Sequence, residues 1–245
     1  LTATPTTPVK LLVSGGVGTG KSSALSAVRG ALRAAGVTVL THPPQPGDDP
    51  AAAVVIDDAH LLNDDELGRL VERVTACPAT LVVAAEPVAH RKSLRALTTA
   101  LERENPIVRL RALSPAEVSR VVAGTLGGTP QSELVRSLLA ATAGLPFLLY
   151  PALDALAGQD DWTAATDAAR FALMERLRRM DQAVLDTLLL TSLSPELGAD
   201  DVAAALRVDT DRAAALVDTA RAGGLADPAH DPAFLRAVHA AVAQI

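Results

Sequence analysis

Short runs of apolar residues alternate with longer amphipathic segments along the first half of the chain. We predict strands at the apolar runs 9–14, 37–41, 53–57, 80–85 and 106–110, and helices over 20–35, 64–76 and 90–103. Strands that alternate with helices in this way are typical of a parallel sheet covered by helices on both faces. The pattern therefore predicts an α/β domain with a doubly wound parallel five-stranded sheet.

Beyond residue 113 the strand pattern stops, and the spacing of Leu, Val and Ala becomes helical. Predicted helices there cover 115–126, 131–143, 146–157, 163–179, 181–191, 199–206, 210–222 and 232–244. A break at 223–228, Gly-Gly-Leu-Ala-Asp-Pro, has the composition of a turn and could be the wing of a winged helix. We therefore predict three domains, namely the sheet domain over 1–112, a helical domain over 113–179 and a winged-helix-like domain over 180–245.

A glycine-rich segment follows directly after the first predicted strand. Residues 15–22 read Gly-Gly-Val-Gly-Thr-Gly-Lys-Ser and match the phosphate-loop pattern G-x-x-x-x-G-K-[ST] at every fixed position. In this motif backbone N–H groups and a helix N-terminus surround phosphates, the lysine reaches the β and γ phosphates, and the hydroxyl binds Mg²⁺. The predicted nucleotide-binding residues are Gly15, Gly16, Val17, Gly18, Thr19, Gly20, Lys21, Ser22 and Ser23. Ser22 is also the predicted Mg²⁺ ligand.

The second half of the predicted site is an apolar strand that ends in two carboxylates, Asp57 and Asp58. In parallel sheets the carboxyl ends of the strands form the ligand-binding edge. An apolar run followed by Asp-Asp is a weak signal alone, since acidic residues also cap helices. Together with the phosphate loop it resembles a Walker B element. We predict Asp57 as a Mg²⁺ ligand and Asp58 as the catalytic residue that orients or deprotonates the attacking water.

Two polar residues near these strand ends have open roles. Glu86 follows the fourth predicted strand, where phosphate-loop ATPases of this architecture usually place a residue that senses the γ phosphate. A carboxylate repels a triphosphate unless a cation intervenes, so a site role and a surface ion pair with Arg91 or Lys92 both remain open. His60 could contact nucleotide or substrate, or form a local hydrogen bond.

The charge, the cysteine count and the lengths of the apolar runs exclude several classes of protein. Twenty-two basic and 28 acidic residues give a net charge of −6, and no basic cluster forms a stripe for nucleic acid. The single cysteine excludes an internal disulfide, and no apolar run is long enough to cross a bilayer. We therefore expect a cytoplasmic protein with no membrane partner. Because the chain begins with Leu1 rather than methionine, we expect it to be part of a longer protein or a processed form.

With these motifs in place, the chain resembles the nucleotide-binding module of STAND signal-transduction ATPases, which include LuxR-type and MalT-like bacterial transcription regulators. The resemblance extends over nearly all of the chain. It rests on the Walker A segment 15–22, the Asp-Asp-Ala-His sequence within 54–62, the junction 109–117 and the Gly-Leu-Pro sequence within 143–149. The resemblance implies an adenine contact from Pro146. It also implies that His230, in an Ala-His-Asp sequence, contacts the β phosphate of ADP in a closed state.

The resulting functional prediction is a regulatory switch that binds ATP or ADP with Mg²⁺, hydrolyses ATP slowly and opens or assembles in response to the nucleotide. Its expected partners are adenine nucleotide and a second copy of itself or another regulatory protein, with DNA bound only by a domain outside this stretch. No Asn-Lys-x-Asp element for guanine is present, so adenine is the expected base. Two alternatives remain open. One is an AAA-like motor or loader ATPase that uses an arginine from a neighbouring subunit, and the other is a scaffold that retains nucleotide.

Overall fold

The computed structural model describes residues 8–16, 18–86, 91–159, 161–194, 196–222, 225 and 232–245. Two predicted site residues, Val17 and His230, lie outside the described residues. The chain forms two compact units, of which one joins the chain up to residue 16 with Gly20–Leu110 and the other joins residues 17–19 with Arg111–Ile245. The further division into domains over 113–179 and 180–245 stays a prediction.

The described part of the first unit contains a sheet of five parallel strands in the order β2-β3-β4-β1-β5. The strands are β1 (Lys10–Gly15), β2 (Val39–Leu40), β3 (Ala53–Ile56), β4 (Leu81–Ala85) and β5 (Val108–Leu110). The predicted α/β class and the five-stranded parallel sheet are thereby confirmed. The order places β4 between β1 and β3, so the strand that precedes Glu86 lies between the two strands that lead into the predicted Walker motifs.

Three helices cover the two faces of this sheet, because both faces of a parallel sheet must be buried. They are α1 (Lys21–Ala34), α2 (Asp64–Ala76) and α3 (Lys92–Glu104), and a 3₁₀ turn, Ala59–Leu61, precedes α2. Side chains along β3 alternate between two apolar clusters. Ala53 and Val55 pack in the cluster of α1, and Val54 and Ile56 pack in the cluster of α2 and α3. The apolar runs that form β3 and β4 are thus strands buried on both sides.

The second unit is helical over its described residues. Its helices are α4 (Pro115–Leu126), α5 (Ser132–Thr142), α6 (Pro146–Gln159), α7 (Trp162–Leu177), α8 (Gln182–Leu193), α9 (Ala199–Leu206), α10 (Thr210–Ala222) and α11 (Pro232–Val242). The predicted winged-helix domain is not confirmed. Helices are found at its four predicted positions, but the segment predicted as the wing, 223–228, lies outside the described residues except for Leu225.

One apolar cluster joins most of these helices. It contains buried side chains from α4 to α8 together with residues of α10 and α11, such as Leu148, Leu188 and Phe234. A smaller cluster joins α9 to α10 through Val202, Ala213 and Val217. None of the helices in the described ranges combines the length and the apolar character that a bilayer crossing requires.

Candidate functional site

The phosphate-loop motif lies where β1 passes into α1. Gly15 ends the strand, Lys21 begins the helix, and Gly20 at the N-cap has a φ of 96°. No side chain caps α1 and its first turn contains no acidic residue, whereas α2 has the full capping box of Asn63 and Glu66. The first turn of a helix carries N–H groups without intrahelical partners and a positive partial charge. The start of α1 is therefore suited to a bound anion.

Lys21 is buried at the start of α1, with only 6% of its surface exposed. Its ammonium donates to the carbonyl oxygens of Gly15 and Gly16, at 2.9 Å each. It also forms an ion pair with Glu86, with 3.5 Å between Nζ and Oε1. A buried ammonium is costly without such partners. These three contacts, all made by the chain itself, therefore offset the cost of burying the charge.

Glu86 is the residue that follows β4. Ala85, which precedes it, pairs with Ser14 of β1, and this register brings Glu86 next to the beginning of the phosphate loop. The backbone N–H of Glu86 donates to Nδ1 of His60 at 3.3 Å, and its Oε2 lies 3.9 Å from Nε2 of His60. The Glu86 side chain is only 13% exposed. Of the two alternatives for Glu86, the surface ion pair with Arg91 or Lys92 is therefore wrong, since Glu86 is mostly buried and pairs with Lys21.

Arg91 fixes the segment that carries His60. Its guanidinium donates to the carbonyl oxygen of His60 at 2.7 Å and to that of Leu62. It also forms an ion pair with Asp64 at 3.0 Å. Hydrogen bonds from Ser93 and then from Arg91 lower the pKa of Asp64 below its ordinary value. Arg91 thus supports the 3₁₀ turn and the start of α2 rather than neutralising Glu86.

The two Walker B carboxylates directly follow β3. Oδ1 of Asp57 accepts a hydrogen bond from the backbone N–H of Asp58 at 3.0 Å. Asp58 is exposed and has a φ of 48°, a left-handed conformation that aspartate tolerates better than most residues and that recurs at functional sites. No group of three or more His, Cys, Asp or Glu residues forms a metal site within the described ranges. A Mg²⁺ ion held by Ser22, Asp57 and phosphate oxygens does not require such a group.

The remaining predicted site residues are placed as follows. Ser22 and Ser23 are exposed in the first turn of α1, and Pro146 begins α6 in the second unit. Gly18, which is grouped with the second unit, accepts a hydrogen bond from the Phe147 N–H at 3.3 Å. Gly18 has a φ of 76°, and a Cβ added there would lie 2.1 Å from Cδ1 of Phe147, so both the backbone conformation and the Phe147 ring favour glycine. The nucleotide roles of all these residues stay predictions.

Sequence reasoning named Glu86 and His60 but missed their connection to Lys21. The sequence contains a signal for it, because Gly15 ends a strand and Asp57 and Glu86 each directly follow one. The neighbouring strands of a parallel sheet cannot be read from their order along the chain, however. The insertion of β4 between β1 and β3 is what brings Glu86 to Lys21.

The chain resembles several solved structures. A single-residue variant of RuvB from Thermotoga maritima matches with a TM-score of 0.50 and 18% identity, over 89% of this chain and 80% of that one. T. maritima RuvB, described as a Holliday junction branch migration motor, matches with a TM-score of 0.47 and 18% identity, over 83% of this chain and 76% of that one. The Bacillus subtilis DNA clamp loader delta protein matches with a TM-score of 0.39 and 14% identity, over 97% of this chain and 88% of that one.

Of these three likenesses, only the first reaches a TM-score of 0.50, and at 18% identity it supports the fold alone. No protein-family model matches the chain, and no curated protein matches it. The chain has the fold of the P-loop NTPases. These likenesses do not support the resemblance to STAND and LuxR-type regulators that the sequence motifs indicated.

Proposed function

We propose that this chain is a P-loop ATPase module of the AAA-like motor or loader kind that binds ATP and ADP with Mg²⁺. The observation that carries the proposal is the buried Lys21 at the uncapped start of α1, directly after a complete phosphate-loop motif. Adenine is the proposed base, since the sequence lacks the Asn-Lys-x-Asp element that specifies guanine. The RuvB-like fold favours a motor or loader over the predicted STAND-type switch.

The donors present fit a nucleotide with its metal. Backbone N–H groups of 15–20 and the Lys21 ammonium would bind the phosphates, while Ser22 and Asp57 would coordinate Mg²⁺. ATP supplies the phosphoanhydride bond that is hydrolysed. Asp58 would orient the attacking water and accept its proton, as the exposed carboxylate at the ligand edge of the sheet.

Self-association forms part of the proposal, because motors of this kind complete their sites with an arginine from a neighbouring subunit. The arginines considered for this role are Arg69, Arg73 and Arg103, of which Arg73 donates to the carbonyl oxygens of Pro50 and Ala52 and is thus occupied within its own unit. Arg103 is exposed near the end of α3 and is the better candidate. RuvB is a branch migration motor, and we propose that any DNA contact of this acidic chain is made by a part outside this stretch.

A slow nucleotide-dependent switch is the second candidate, and the Lys21–Glu86 ion pair favours it. A carboxylate beside the phosphate-loop lysine opposes the binding and transfer of a γ phosphate. In this reading Pro146 would contact adenine and His230 the β phosphate of ADP. Steady-state hydrolysis separates the two candidates, since a motor turns over quickly with self-association and a switch retains ADP and turns over slowly.

The test of nucleotide binding compares Lys21→Ala with Lys92→Ala by isothermal titration with Mg·ADP. Lys92 is an exposed lysine at the start of α3, so its variant controls for the loss of one positive charge. We expect Lys21→Ala to weaken binding by roughly 10- to 100-fold, the value of a hydrogen bond to a charged group, and Lys92→Ala to bind as the wild type does. Equal affinities of the wild type and both variants would contradict the proposed site.

A further inference from the structure

The Lys21 ammonium, which a bound nucleotide needs for its phosphates, is already engaged in an ion pair with Glu86. The Lys21 ammonium donates to the carbonyl oxygens of Gly15 and Gly16, and its Nζ lies 3.5 Å from Oε1 of Glu86 in an ion pair. The Lys21 side chain is 6% exposed and that of Glu86 is 13% exposed, so water screens their interaction poorly. A phosphate that binds Lys21 must therefore compete with a carboxylate already in contact with it.

Glu86 is held in this position from its other side. Its backbone N–H donates to Nδ1 of His60 at 3.3 Å, and Nε2 of the same ring lies 3.9 Å from Oε2. Arg91 in turn fixes the backbone of His60 through the carbonyl oxygen of that residue. One carboxylate oxygen thus faces Lys21 and the other faces an anchored imidazole. A rotation of the carboxylate away from Lys21 would break the ion pair.

This arrangement acts unequally on di- and triphosphates. A phosphate-loop lysine reaches the β and γ phosphates, so a triphosphate brings more negative charge to the Lys21 ammonium than a diphosphate does. Like charges that meet in a poorly solvated site repel each other strongly. Arg91, the arginine nearest along the chain, is engaged by His60, Leu62 and Asp64 and does not offset this repulsion. The penalty from Glu86 therefore grows with the charge of the ligand.

We propose that Glu86 is a specificity-determining residue that favours ADP over ATP by competing with the γ phosphate for Lys21. The inference rests on the proposed nucleotide function and adds a preference to that site. Glu86 lowers the affinity for ATP, because binding of ATP requires that the Lys21–Glu86 ion pair separate. Glu86→Gln keeps the shape of the side chain, removes its charge and so removes the preference.

The experiment is isothermal titration of the wild type, Glu86→Gln and Glu104→Gln with Mg·ADP and with the Mg²⁺ complex of adenosine 5′-(β,γ-imido)triphosphate. Glu104 is the matched control, since it forms a Lys10–Glu104 ion pair at the same distance of 3.5 Å, away from the loop. We expect the wild type to prefer ADP and Glu86→Gln to shift the ratio toward the triphosphate by about tenfold or more. Glu104→Gln should keep the wild-type ratio.

The other outcomes contradict either the inference alone or the inference together with the proposed function. If both nucleotides bind the wild type but Glu86→Gln leaves the ratio of the ADP and triphosphate affinities unchanged, Glu86 does not set the preference. The inference then fails while the proposed function stands, even if Glu86→Gln raises both affinities together. If neither nucleotide binds the wild type or Glu86→Gln, the proposed function fails and the inference fails with it. Circular dichroism of each variant excludes misfolding as the cause of a lost affinity.

Discussion

Gly144 shows how strongly one backbone position can be constrained in the second unit. Its φ is 70°, and its carbonyl oxygen accepts a hydrogen bond of 2.8 Å from the Leu113 N–H. A Cβ at this position would lie 2.3 Å from the carbonyl oxygen of Leu113. That contact is with backbone, which cannot rotate away as a side chain could. The glycine is therefore required twice, by its φ and by the approach of the Leu113 backbone.

We expect Gly144→Ala to destabilise the protein by about 2 kcal/mol or more, because the left-handed conformation and the backbone clash act together. Gly124→Ala is the matched control. Gly124 lies within α4, and a Cβ there meets nothing within 4 Å. That substitution should raise stability by about 0.5 to 1 kcal/mol, since alanine favours helix. Urea unfolding of the three proteins checks the prediction, and equal midpoints for the two variants would contradict it.

At the scale of single elements, α4 shows how a helix start is fixed by its own sequence. Ser114 is the N-cap, Pro115 begins the helix, and Glu117 completes a capping box. The Ser114 hydroxyl donates to Glu117 Oε2 at 2.6 Å and the Ser114 backbone N–H donates to it at 2.8 Å. The hydrogen bond from the hydroxyl, and to a smaller extent the one from the backbone N–H, lowers the pKa of Glu117 below its ordinary value. The helix start and the charge of Glu117 are therefore linked.

This link predicts a pH dependence with a definite sign. Because the pKa of Glu117 is lower in the folded chain than in the unfolded one, its contribution to stability is present above the ordinary glutamate pKa. The contribution is lost as the pH falls through the lowered pKa. Ser114→Ala should raise the pKa of Glu117 toward its ordinary value, as measured by NMR titration of the side-chain carboxyl carbon.

Ser93→Ala is the control for that titration. The Ser93 hydroxyl donates to the Asp64 carboxylate at 2.5 Å, and this hydrogen bond is the largest cause of the lowered pKa of Asp64. Ser93→Ala should therefore raise the pKa of Asp64 and leave that of Glu117 unchanged. A Glu117 pKa that does not respond to Ser114→Ala would show that the capping box does not set it.

At the scale of the whole molecule, each compact unit has its own apolar core. The strands of the first unit contribute to the clusters on the two faces of the sheet. Helices from the predicted helical domain, 113–179, and from the predicted winged-helix-like domain, 180–245, contribute to one cluster in the second unit. Phe234 of α11 is 1% exposed within that cluster. Side chains that share one core should lose their stability together.

We therefore expect Phe234→Ala to cost about 3 to 5 kcal/mol, the value for truncating a buried phenylalanine. Amide hydrogen exchange should show lost protection in α5, α7 and α8, which pack against α11, and unchanged protection in β3 and β4. Phe171→Ala is the matched control, since Phe171 lies on α7 and is 66% exposed. If protection is lost in α8 alone, 180–245 behaves as a separate domain, as the sequence analysis predicted.

The sequence by itself determined the elements of this protein and its candidate chemistry. Short apolar runs placed the strands and a period of 3.6 residues placed the helices to within a few residues, because burial on both faces of a strand or one face of a helix leaves a local pattern. The capping box at Ser114 and the phosphate loop at 15–22 are likewise local, since their function depends on residues a few positions apart. These features could be read without knowing which elements are neighbours.

Tertiary structure alone decided which elements meet. The order β2-β3-β4-β1-β5 brings Glu86 to Lys21, although 65 positions separate them in the sequence and no local pattern links them. The same folding step engages Arg91 with His60 and Leu62, which removes the cation that the sequence suggested for Glu86. The physical reason is that strand order and ion pairs between distant residues depend on the packing of whole elements, whereas periodicity and caps depend on adjacent residues.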